Sequence, residues 1–332
     1  MWAKLFVTLS IITLNTVNIA IAENAPEYAL VLHGGAGAIT PDKLTPELEK
    51  SIQVVLMEAL TVGEVILKDG GTSLDAISAT IMVLENSPYF NAGRGAVFTA
   101  EGKNELDSSI MDGKTLNAGA VSGVTNIKNP ITAARAVMEK SPHVMLQGLG
   151  AVVFAKKNGI ETAPDEYFHT EKRWQSHKDG LEKVAQNLPT PKDYKYGTVG
   201  AAALDKHGNL AAGTSTGGMT NKSHGRVGDS PIIGAGTYAN NNSCALSATG
   251  HGEFFIRNTV ASRICLLVEI GGLTLQEAAD KVIMKQLVDM GGDGGIVAVD
   301  KDGNMALTFN SAGMYRGSVS SNKKATVAIY KD

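Results

Sequence analysis

The sequence predicts a mixed α/β (α+β) protein, a four-layer αββα sandwich in which helices cover the outer faces of two packed sheets. Two hairpins are predicted over 198–213 and 296–308, because apolar strands flank an Asp-Lys-X-Gly-Asn turn in each. Strands that are apolar on both faces must be covered on both sides. Helices also occur in consecutive pairs. This pairing disfavours the alternative, a doubly wound parallel sheet, in which strands and helices alternate regularly.

The first half of the chain combines helix-capping signals with short apolar runs. Thr45-Pro46-Glu47 supplies a capping hydroxyl, a proline at the first helical position and an acid in the first turn, so a helix is expected from there to about Lys68. The other expected elements are a strand at 28–32, a helix from about 72 that ends before Pro88, strands at 96–99, 105–111 and 118–124, a helix opening at 129–130, and a strand at 152–155.

Two helices are expected between the hairpins, the first from about 253 to 270. The second begins at a capping box, Thr274 with Glu277, and ends at 291–292. Cys265 lies in an apolar run, which favours a small buried thiol; a disulfide with Cys244 is the alternative in an exported protein. Neither cysteine has another cysteine or a histidine at the spacing of a metal site.

Residues 1–22 have the layout of a secretory signal, with one cation, Lys4, then an apolar run, then small residues before Glu23. Asn15 and Asn18 interrupt the run, which disfavours an uncleaved anchor because a spanning helix needs about 20 apolar residues. We therefore expect export, to the periplasm or the medium, and no membrane contact after the signal is removed. The net charge of −3, without a run of Lys or Arg, makes nucleic acid an unexpected partner.

From about 157 to 197, charged residues and prolines crowd together, which is typical of a flexible connector. The connector ends directly at Gly197-Thr198, where a buried strand begins. A flexible segment that runs into a buried strand is what a self-cleaving precursor needs. The expected products are an α subunit, residues 23–197, and a β subunit, residues 198–332, which together form one composite domain.

Thr198 is the candidate nucleophile. A threonine hydroxyl is a poor nucleophile unless a base lies beside it. Cleavage between Gly197 and Thr198 would create an α-amine on the same residue, with a reference pKa of about 7.7–8.0, which suits a general base near neutral pH. The alternative is that Thr198 only opens a strand, where β-branched residues are common.

Three further segments bring hydroxyls, charges and glycines together after the connector. Arg226 and Asp229 stand three apart in a turn, a pattern suited to the carboxylate and the amine of an amino acid; a surface ion pair is the alternative. The segment 249–252 precedes a helix, so its hydroxyl and amide groups suit an oxyanion, unless they only cap the helix. Thr216 lies in a hydroxyl cluster, and its alternative role is hydrogen bonding at a strand end.

Five motifs are spread along the chain: HGGAG at 33–37, NAGRGAV at 91–97, GTVG at 197–200, TSTGG at 214–218 and HGRVGDSP at 224–231. Together they resemble plant-type asparaginases, also called isoaspartyl peptidases, which are N-terminal nucleophile hydrolases. The resemblance covers essentially everything after residue 28 except the connector. It implies the αββα fold of these hydrolases, self-cleavage before Thr198, and an assembly of two α and two β subunits.

The resemblance also implies a role for each site residue. Thr198 would be nucleophile and base, Thr216 its support, and Thr249 with Gly250 the oxyanion hole. Arg226 would bind the α-carboxylate of the substrate and Asp229 its α-amine. The other implied substrate-binding residues are Asn91, Val227, Gly228, Thr249, Gly250, His251 and Gly252. The implied substrates are isoaspartyl dipeptides and L-asparagine. No required cofactor or catalytic metal is implied, but in relatives the loop here spanning Leu84 to Arg94 binds a structural sodium ion through backbone oxygens.

Three other functions compete with this one. A glycosylasparaginase shares the HGRVGD motif, but that branch usually has an acidic residue before its threonine, where this chain has Gly197. A non-catalytic amino-acid-binding relative would keep Arg226 and Asp229 and would remain one intact chain. A metal-dependent hydrolase is disfavoured because the seven histidines are scattered, with no pair at ligand spacing on a helix.

Overall fold

Two β-sheets lie face to face in the computed structural model, which describes residues 25–186 and 197–331. Within these residues the larger sheet contains eight strands: β1 (Ala29–Gly37), β2 (Leu106–Asp112), β3 (Ala118–Val124), β4 (Met145–Gln147), β5 (Val199–Leu204), β6 (Leu210–Thr216), β11 (Gly313–Ser320) and β12 (Lys323–Tyr330). Their spatial order is β12-β11-β1-β5-β6-β2-β3-β4. Neighbours are antiparallel except β3 and β4, which are parallel.

The smaller sheet lies over the middle of the larger one. In the described residues it contains four antiparallel strands, in the order β10-β9-β8-β7: β7 (Thr237–Ala239), β8 (Cys244–Gly250), β9 (Gly294–Asp300) and β10 (Met305–Phe309). Both predicted hairpins are therefore confirmed, as β5–β6 and β9–β10.

The helices include those that the capping signals predict. Those of the first half are α1 (Pro46–Lys68), α2 (Ser73–Asn86), α3 (Pro130–Lys140), α4 (Gly148–Lys157), α5 (Asp165–Phe168) and α6 (Glu171–Ala185). Those of the second half are α7 (Gly252–Asn258), α8 (Val260–Glu269), α9 (Leu275–Ala279) and α10 (Leu287–Asp289), with a π-helical segment, Asp280–Gln286, joining the last two. Thr45 caps α1, and Thr274 with Glu277 forms the predicted capping box.

Of the apolar cores in the described residues, three separate the four layers. Val31 and Val297 belong to the core between the two sheets. Leu60 of α1 and Ile77 of α2 pack on the outer face of the larger sheet. Ile264 of α8 belongs to the core on the outer face of the smaller sheet. The predicted αββα sandwich is thus confirmed, and the alternative of a doubly wound parallel sheet is excluded by the antiparallel pairing.

Several expected elements differ from the structure. Residues 152–155 lie in α4, where the fully buried Ala151 and Ala155 stand four apart on one helix face; a short apolar run does not distinguish a helix from a strand. Residues 96–99 form no strand; Asn104 Nδ2 donates to the carbonyl oxygens of the first two, and Thr99 forms only an isolated bridge with Lys222. The helix expected from 253 to 270 is divided at Thr259, which has a left-handed backbone (φ 47°).

The connector is more ordered than expected over its first part. Residues 157–186 include α5 and α6, so this part is not a flexible segment. Pro164 is the N-cap residue of α5. On α6, Arg173 Nε donates a 2.8 Å hydrogen bond to the carbonyl of Gly95, and His177 Nδ1 lies 2.6 Å from Asn221 Oδ1. Residues 187–196, and the signal expected at 1–22, lie outside the described residues.

Cys244 and Cys265 form a disulfide, so the expected free buried thiol is wrong. Their Cα atoms are 5.3 Å apart, and the bond joins β8 to α8 across a buried core. An apolar run predicts burial equally well for a thiol and for a half-cystine, which is why the sequence does not separate the two. No helix in the described residues is both long and apolar enough to cross a bilayer.

Candidate active site

The hydroxyl of Thr198 lies at the edge where the central strands of the larger sheet begin and end. Thr198 directly precedes β5, and Thr216 ends the antiparallel neighbour β6, so the two side chains meet. Thr198 Oγ1 donates to Thr216 Oγ1 at 3.1 Å. Thr216 Oγ1 in turn donates to the carbonyl oxygen of Gly197 at 3.1 Å and accepts from Gly218 N at 3.0 Å. The hydroxyl of Thr216 therefore connects the candidate nucleophile to the carbonyl of the preceding residue.

Asn91 supplies a second donor to that carbonyl. Its Nδ2 donates to the carbonyl oxygen of Gly197 and to that of Gly218, each at 2.7 Å. Its Oδ1 accepts from Val97 N at 2.9 Å, and these three bonds fix the orientation of the amide. Asn91 therefore lies next to Thr198. The side chains of Asn91 and Thr216 both donate to the carbonyl oxygen of the 197–198 peptide bond.

Arg226 and Asp229 lie in one cleft, but they do not form the surface ion pair that was the alternative. Arg226 binds both carboxylate oxygens of Glu253, through Nε at 2.9 Å and Nη2 at 3.0 Å. Asp229 is buried, and its Oδ2 has no hydrogen-bond partner among the described residues. Burial raises the pKa of Asp229 to about 7, and the charge of Arg226 offsets only part of this effect. Asp229 is therefore a buried carboxyl group with an unsatisfied acceptor.

A small cavity beside Thr198 brings most of the predicted residues together. Its lining consists of Thr198, Thr216, Gly218, Arg226, Gly228, Asp229, Ser230 and Gly250. Its volume is about 10 Å³, roughly the space of one water molecule. A nucleophilic hydroxyl, a cation and a carboxyl group thus face the same space.

The remaining predicted residues do not line this cavity. Gly252 permits close approach, since a Cβ there would lie 2.9 Å from Asp229 Oδ1. The hydroxyl of Thr249 is buried and accepts from Ala36 N at 3.3 Å. The ring of His251 packs edge-on against Phe254, 4.7 Å between centroids. Val227 does not line the cavity.

Three residues around the site were not singled out by the sequence analysis. Glu253 lies in the first turn of α7 and forms an ion pair with Arg226. It could have been predicted, because a partly buried arginine requires a negatively charged partner. His33 is completely buried between the sheets, and its motif was noted without a role. Glu85 is also completely buried, at the end of α2, and burial raises its pKa to about 7.

Glu85 ties the loop that carries Asn91 to the strand that carries Thr216. Ser215 Oγ donates to Glu85 Oε1 at 2.6 Å, and Ile131 N donates to the same oxygen at 3.0 Å. One carboxyl group therefore joins the end of α2, the strand β6 and the start of α3. Within the described ranges, no group of three His, Cys, Asp or Glu side chains is arranged to hold a metal ion.

Curated relatives match this chain over most of its length. The isoaspartyl peptidase of Escherichia coli (strain K12) is 47% identical over 308 residues, which cover 91% of this chain and 96% of the relative. The isoaspartyl peptidase/L-asparaginase of Mus musculus is 46% identical over 296 residues, 89% of this chain and 88% of the relative. A probable isoaspartyl peptidase/L-asparaginase 2 of Arabidopsis thaliana is 40% identical over 327 residues, 92% and 99% of the two chains.

A family model described as asparaginase matches residues 26–329. This match spans nearly all of the described residues, including both halves of the site around Thr198. Together with relatives that are at least 40% identical over about nine tenths of the chain, it shows that this chain is a hydrolase of the asparaginase family.

Proposed function

We propose that this protein hydrolyses isoaspartyl dipeptides and the side-chain amide of L-asparagine, with Thr198 as the nucleophile. One observation carries the proposal. The hydroxyl of Thr198 shares a cleft with the cation of Arg226 and with the buried, unsatisfied carboxyl group of Asp229. This arrangement fits an amino acid whose side-chain carbonyl carbon, the point of attack, lies two bonds from the Cα that carries the charged amine and carboxylate. The names of the relatives cited above support the same substrates.

The chain would first cleave itself between Gly197 and Thr198. Thr198 Oγ1 attacks the carbonyl carbon of Gly197 as its proton passes to Thr216, and the proton of Thr216 passes to the Gly197 oxygen. Asn91 Nδ2 stabilises the negative charge that develops on the same oxygen. The proton then moves from this oxygen to the nitrogen of Thr198 as the C–N bond breaks, which leaves an ester on Thr198 Oγ1 and a free α-amine. Water hydrolyses the ester and releases a carboxylate on Gly197.

The new amine would act as the base for turnover. It accepts the Thr198 hydroxyl proton while Oγ1 attacks the side-chain carbonyl of asparagine or the β-linked carbonyl of an isoaspartyl peptide. Main-chain groups at Thr249 and Gly250 would stabilise the oxyanion. The amine then returns the proton to the leaving ammonia or amino acid. A water molecule clears the β-aspartyl ester and restores the hydroxyl.

The substrate head group would be recognised by charge. An α-ammonium group supplies the donor that Asp229 Oδ2 lacks, and the resulting ion pair favours the ionised carboxylate. The α-carboxylate would bind the guanidinium of Arg226, which Glu253 holds in a fixed, bidentate orientation. Both charges are needed together, so this site would select amino acids over simple amides.

Three further parts of the proposal concern the whole protein. We propose that residues 1–22 direct export to the periplasm or the medium, and that the cut chain assembles as a dimer of αβ units. We also propose that a sodium ion binds the loop from Leu84 to Arg94. Carbonyl oxygens suit such a hard cation, and each has a second lone pair besides the one that accepts a protein hydrogen bond, as Leu84 O does from Ser87 N. The ion would hold the loop of Asn91 in place.

A matched pair of variants tests the nucleophile. Thr198→Ser keeps the hydroxyl that attacks the carbonyl of Gly197, whereas Thr198→Ala removes this hydroxyl and with it the means to free the α-amine. We expect the serine variant to be cut on a denaturing gel and to release ammonia from asparagine and amino acid from an isoaspartyl dipeptide, and the alanine variant to do neither. Mass spectrometry reports the cuts after residues 22 and 197 in one measurement.

The substrates given to the wild-type protein separate the competing functions. Glycosyl-asparagine serves as the comparison substrate, and hydrolysis of it alone would indicate a glycosylasparaginase. An intact wild-type chain that binds amino acids without hydrolysis would indicate a binding protein. Activity in the Thr198→Ala variant would refute the assignment of the nucleophile.

A further inference from the structure

We propose that His33 is a positioning residue for the nucleophile, because its ring holds the carbonyl oxygen of Thr198 and is itself oriented by a buried row of hydroxyl groups. This inference rests on the proposed role of Thr198. His33 touches neither the reacting hydroxyl nor the substrate-binding charges, so it acts through the main chain of Thr198.

The ring of His33 joins the two sheets. His33 lies on β1, opposite Gly200 of β5, and is completely buried. Its Nδ1 is 2.9 Å from the carbonyl oxygen of Thr198, at the start of β5 in the same sheet. Its Nε2 is 2.8 Å from Ser247 Oγ, on β8 of the other sheet. The two bonds fix the ring at both ends.

The partners of the ring determine its tautomer. A carbonyl oxygen only accepts, so Nδ1 of His33 must carry the hydrogen that is donated to Thr198 O. Burial lowers the pKa of His33 to about 3, so the ring is neutral near neutral pH and Nε2 is an acceptor. Ser247 must therefore donate its hydroxyl hydrogen to Nε2.

A row of hydroxyl groups continues from Ser247 to the wall of the cleft. Because the hydrogen of Ser247 is used on His33, Ser247 Oγ is the acceptor in its 2.7 Å contact with Thr214 Oγ1, whose hydrogen it shares with the carbonyl oxygen of Gly236 at 3.1 Å. Thr214 also contacts Thr237, which lies 2.8 Å from Ser109 Oγ. Ser109 Oγ donates to the carbonyl oxygen of Ser230 at 2.6 Å. Ser230 adjoins Asp229 and lines the cleft, so the row links the nucleophile strand to the substrate-binding turn.

Gly200 leaves the space that this arrangement needs. A Cβ at position 200 would lie 2.7 Å from His33 Nε2 and would collide with Ser247 Oγ. Any side chain there would separate the two bonded atoms. Packing therefore requires glycine at position 200, the last residue of the GTVG motif, because only glycine leaves room for the bond between His33 and Ser247.

A hydrogen bond to the carbonyl oxygen of Thr198 restrains the position of the nucleophilic residue. Once the 197–198 bond is cut, residue 198 has no covalent neighbour on its N-terminal side. A hydrogen bond to its carbonyl then restrains the residue and keeps Oγ1 near Thr216 and the cleft. Misplacement of a catalytic group by about 1 Å reduces rates by about 10²-fold.

Two isosteric replacements separate the two ends of the ring. The side-chain amide of His33→Asn places a donor near the position of Nδ1, so the bond to Thr198 O is kept and that to Ser247 is lost. The longer His33→Gln places its amide near Nε2, so Ser247 keeps its partner and Thr198 O loses its donor. Each variant loses one buried hydrogen bond, so both should be destabilised similarly. The exposed residue His143, replaced by glutamine, is the surface control.

The readouts are kcat and KM for an isoaspartyl dipeptide, the rate of cutting at 197–198, and the melting temperature. We expect His33→Gln to lose about 10²-fold in kcat with KM within about threefold, and His33→Asn to keep kcat within about tenfold of the wild type. Equal losses in both variants, or a glutamine variant more active than the asparagine variant, would overturn the proposal.

Two further results keep the outcome decisive. If the histidine variants do not fold, Ser247→Ala removes the partner of Nε2 and leaves the donor at Nδ1 in place. This variant should, like His33→Asn, keep kcat within about tenfold of the wild type, and a loss of about 10²-fold would refute the proposal. If the wild-type protein neither cuts itself nor hydrolyses the dipeptide, the proposed function fails. An active wild type whose two histidine variants behave alike rejects the role of His33 alone.

Discussion

Replacing Thr216 with valine tests the hydroxyl that connects Thr198 to the carbonyl of Gly197. Valine has nearly the same shape, and the side chain is buried, so the change removes an oxygen and leaves the packing intact. The contact from Thr198 Oγ1 and the donor to Gly197 O, each at 3.1 Å, are lost together. Asn91 remains as a donor to that carbonyl oxygen. We therefore expect self-cleavage to be slow but measurable.

The expected loss follows from the contacts of this hydroxyl. Removal of one oxyanion donor lowers a rate by about 10²–10³-fold, or roughly 3–4 kcal/mol. The lost acceptor for the Thr198 proton acts on the same step, so the combined effect should be near the upper end of that range. Gly218 N also loses its buried acceptor, which should lower the free energy of unfolding by about 1–3 kcal/mol.

The assay follows the intact precursor on a denaturing gel after its synthesis, with a parallel thermal melt. Thr216→Ser is the matched control, since it restores the oxygen and removes only a methyl group; it should be cut within about tenfold of the wild-type rate. A folded valine variant that is cut as fast as the wild type would refute the role assigned to Thr216.

Three other predictions concern charge and crosslinking. Because burial raises the pKa of Asp229 to about 7 and an ammonium ion needs the ionised form, KM for an isoaspartyl dipeptide should rise as the pH falls from about 8 to about 6, and Asp229→Asn should remove this slope. Glu85 binds more protons when folded than when unfolded between the ordinary glutamate pKa of 4.5 and its own raised pKa of about 7. Its contribution to stability should therefore fall as the pH rises through that window, and urea midpoints of Glu85→Gln should lack this component. Reduction of the Cys244–Cys265 bond, which closes a loop with a sequence separation of 21, should lower the free energy of unfolding by about 3 kcal/mol in urea titrations with and without reductant; an unchanged midpoint would contradict that expectation.

The sequence predicted the fold well where the stabilising hydrogen bonds join residues that are close together in the chain. The cap at Thr45 and the capping box at Thr274 are hydrogen bonds within one turn, so the sequence contains both partners. The two hairpins likewise depend on turns of adjacent residues. Val152 and Val153 were mistaken for a strand because their neighbours in space, and not in sequence, decide which face is buried.

The sequence predicted which charged and reactive side chains belong to the candidate site, but it did not predict which residues they contact. Arg226 and Asp229 stand close together in sequence, and their nearness suggested a pair. In the folded chain Arg226 instead reaches Glu253, on a different element, and Asp229 is left with an unsatisfied oxygen. His33 meets Ser247 only because two separate sheets pack together. Contacts of this kind depend on tertiary structure, for which a single sequence has no local signal.

The geometry around Gly197 connects the proposed cut with access to the site. In the continuous chain, Asn91 binds the Gly197 carbonyl at 2.7 Å, and a Cβ on Gly35 would lie 3.1 Å from Gly197 Cα, so this residue is held closely on two sides. The remaining space beside Thr198 is about 10 Å³, which is too small for an amino acid. Breaking the 197–198 bond would free Gly197 to leave and at the same time convert the amide nitrogen of Thr198 into an amine. The same event would therefore create the base and open the cleft, so we expect the uncut precursor to be inactive although all of its side chains are in place.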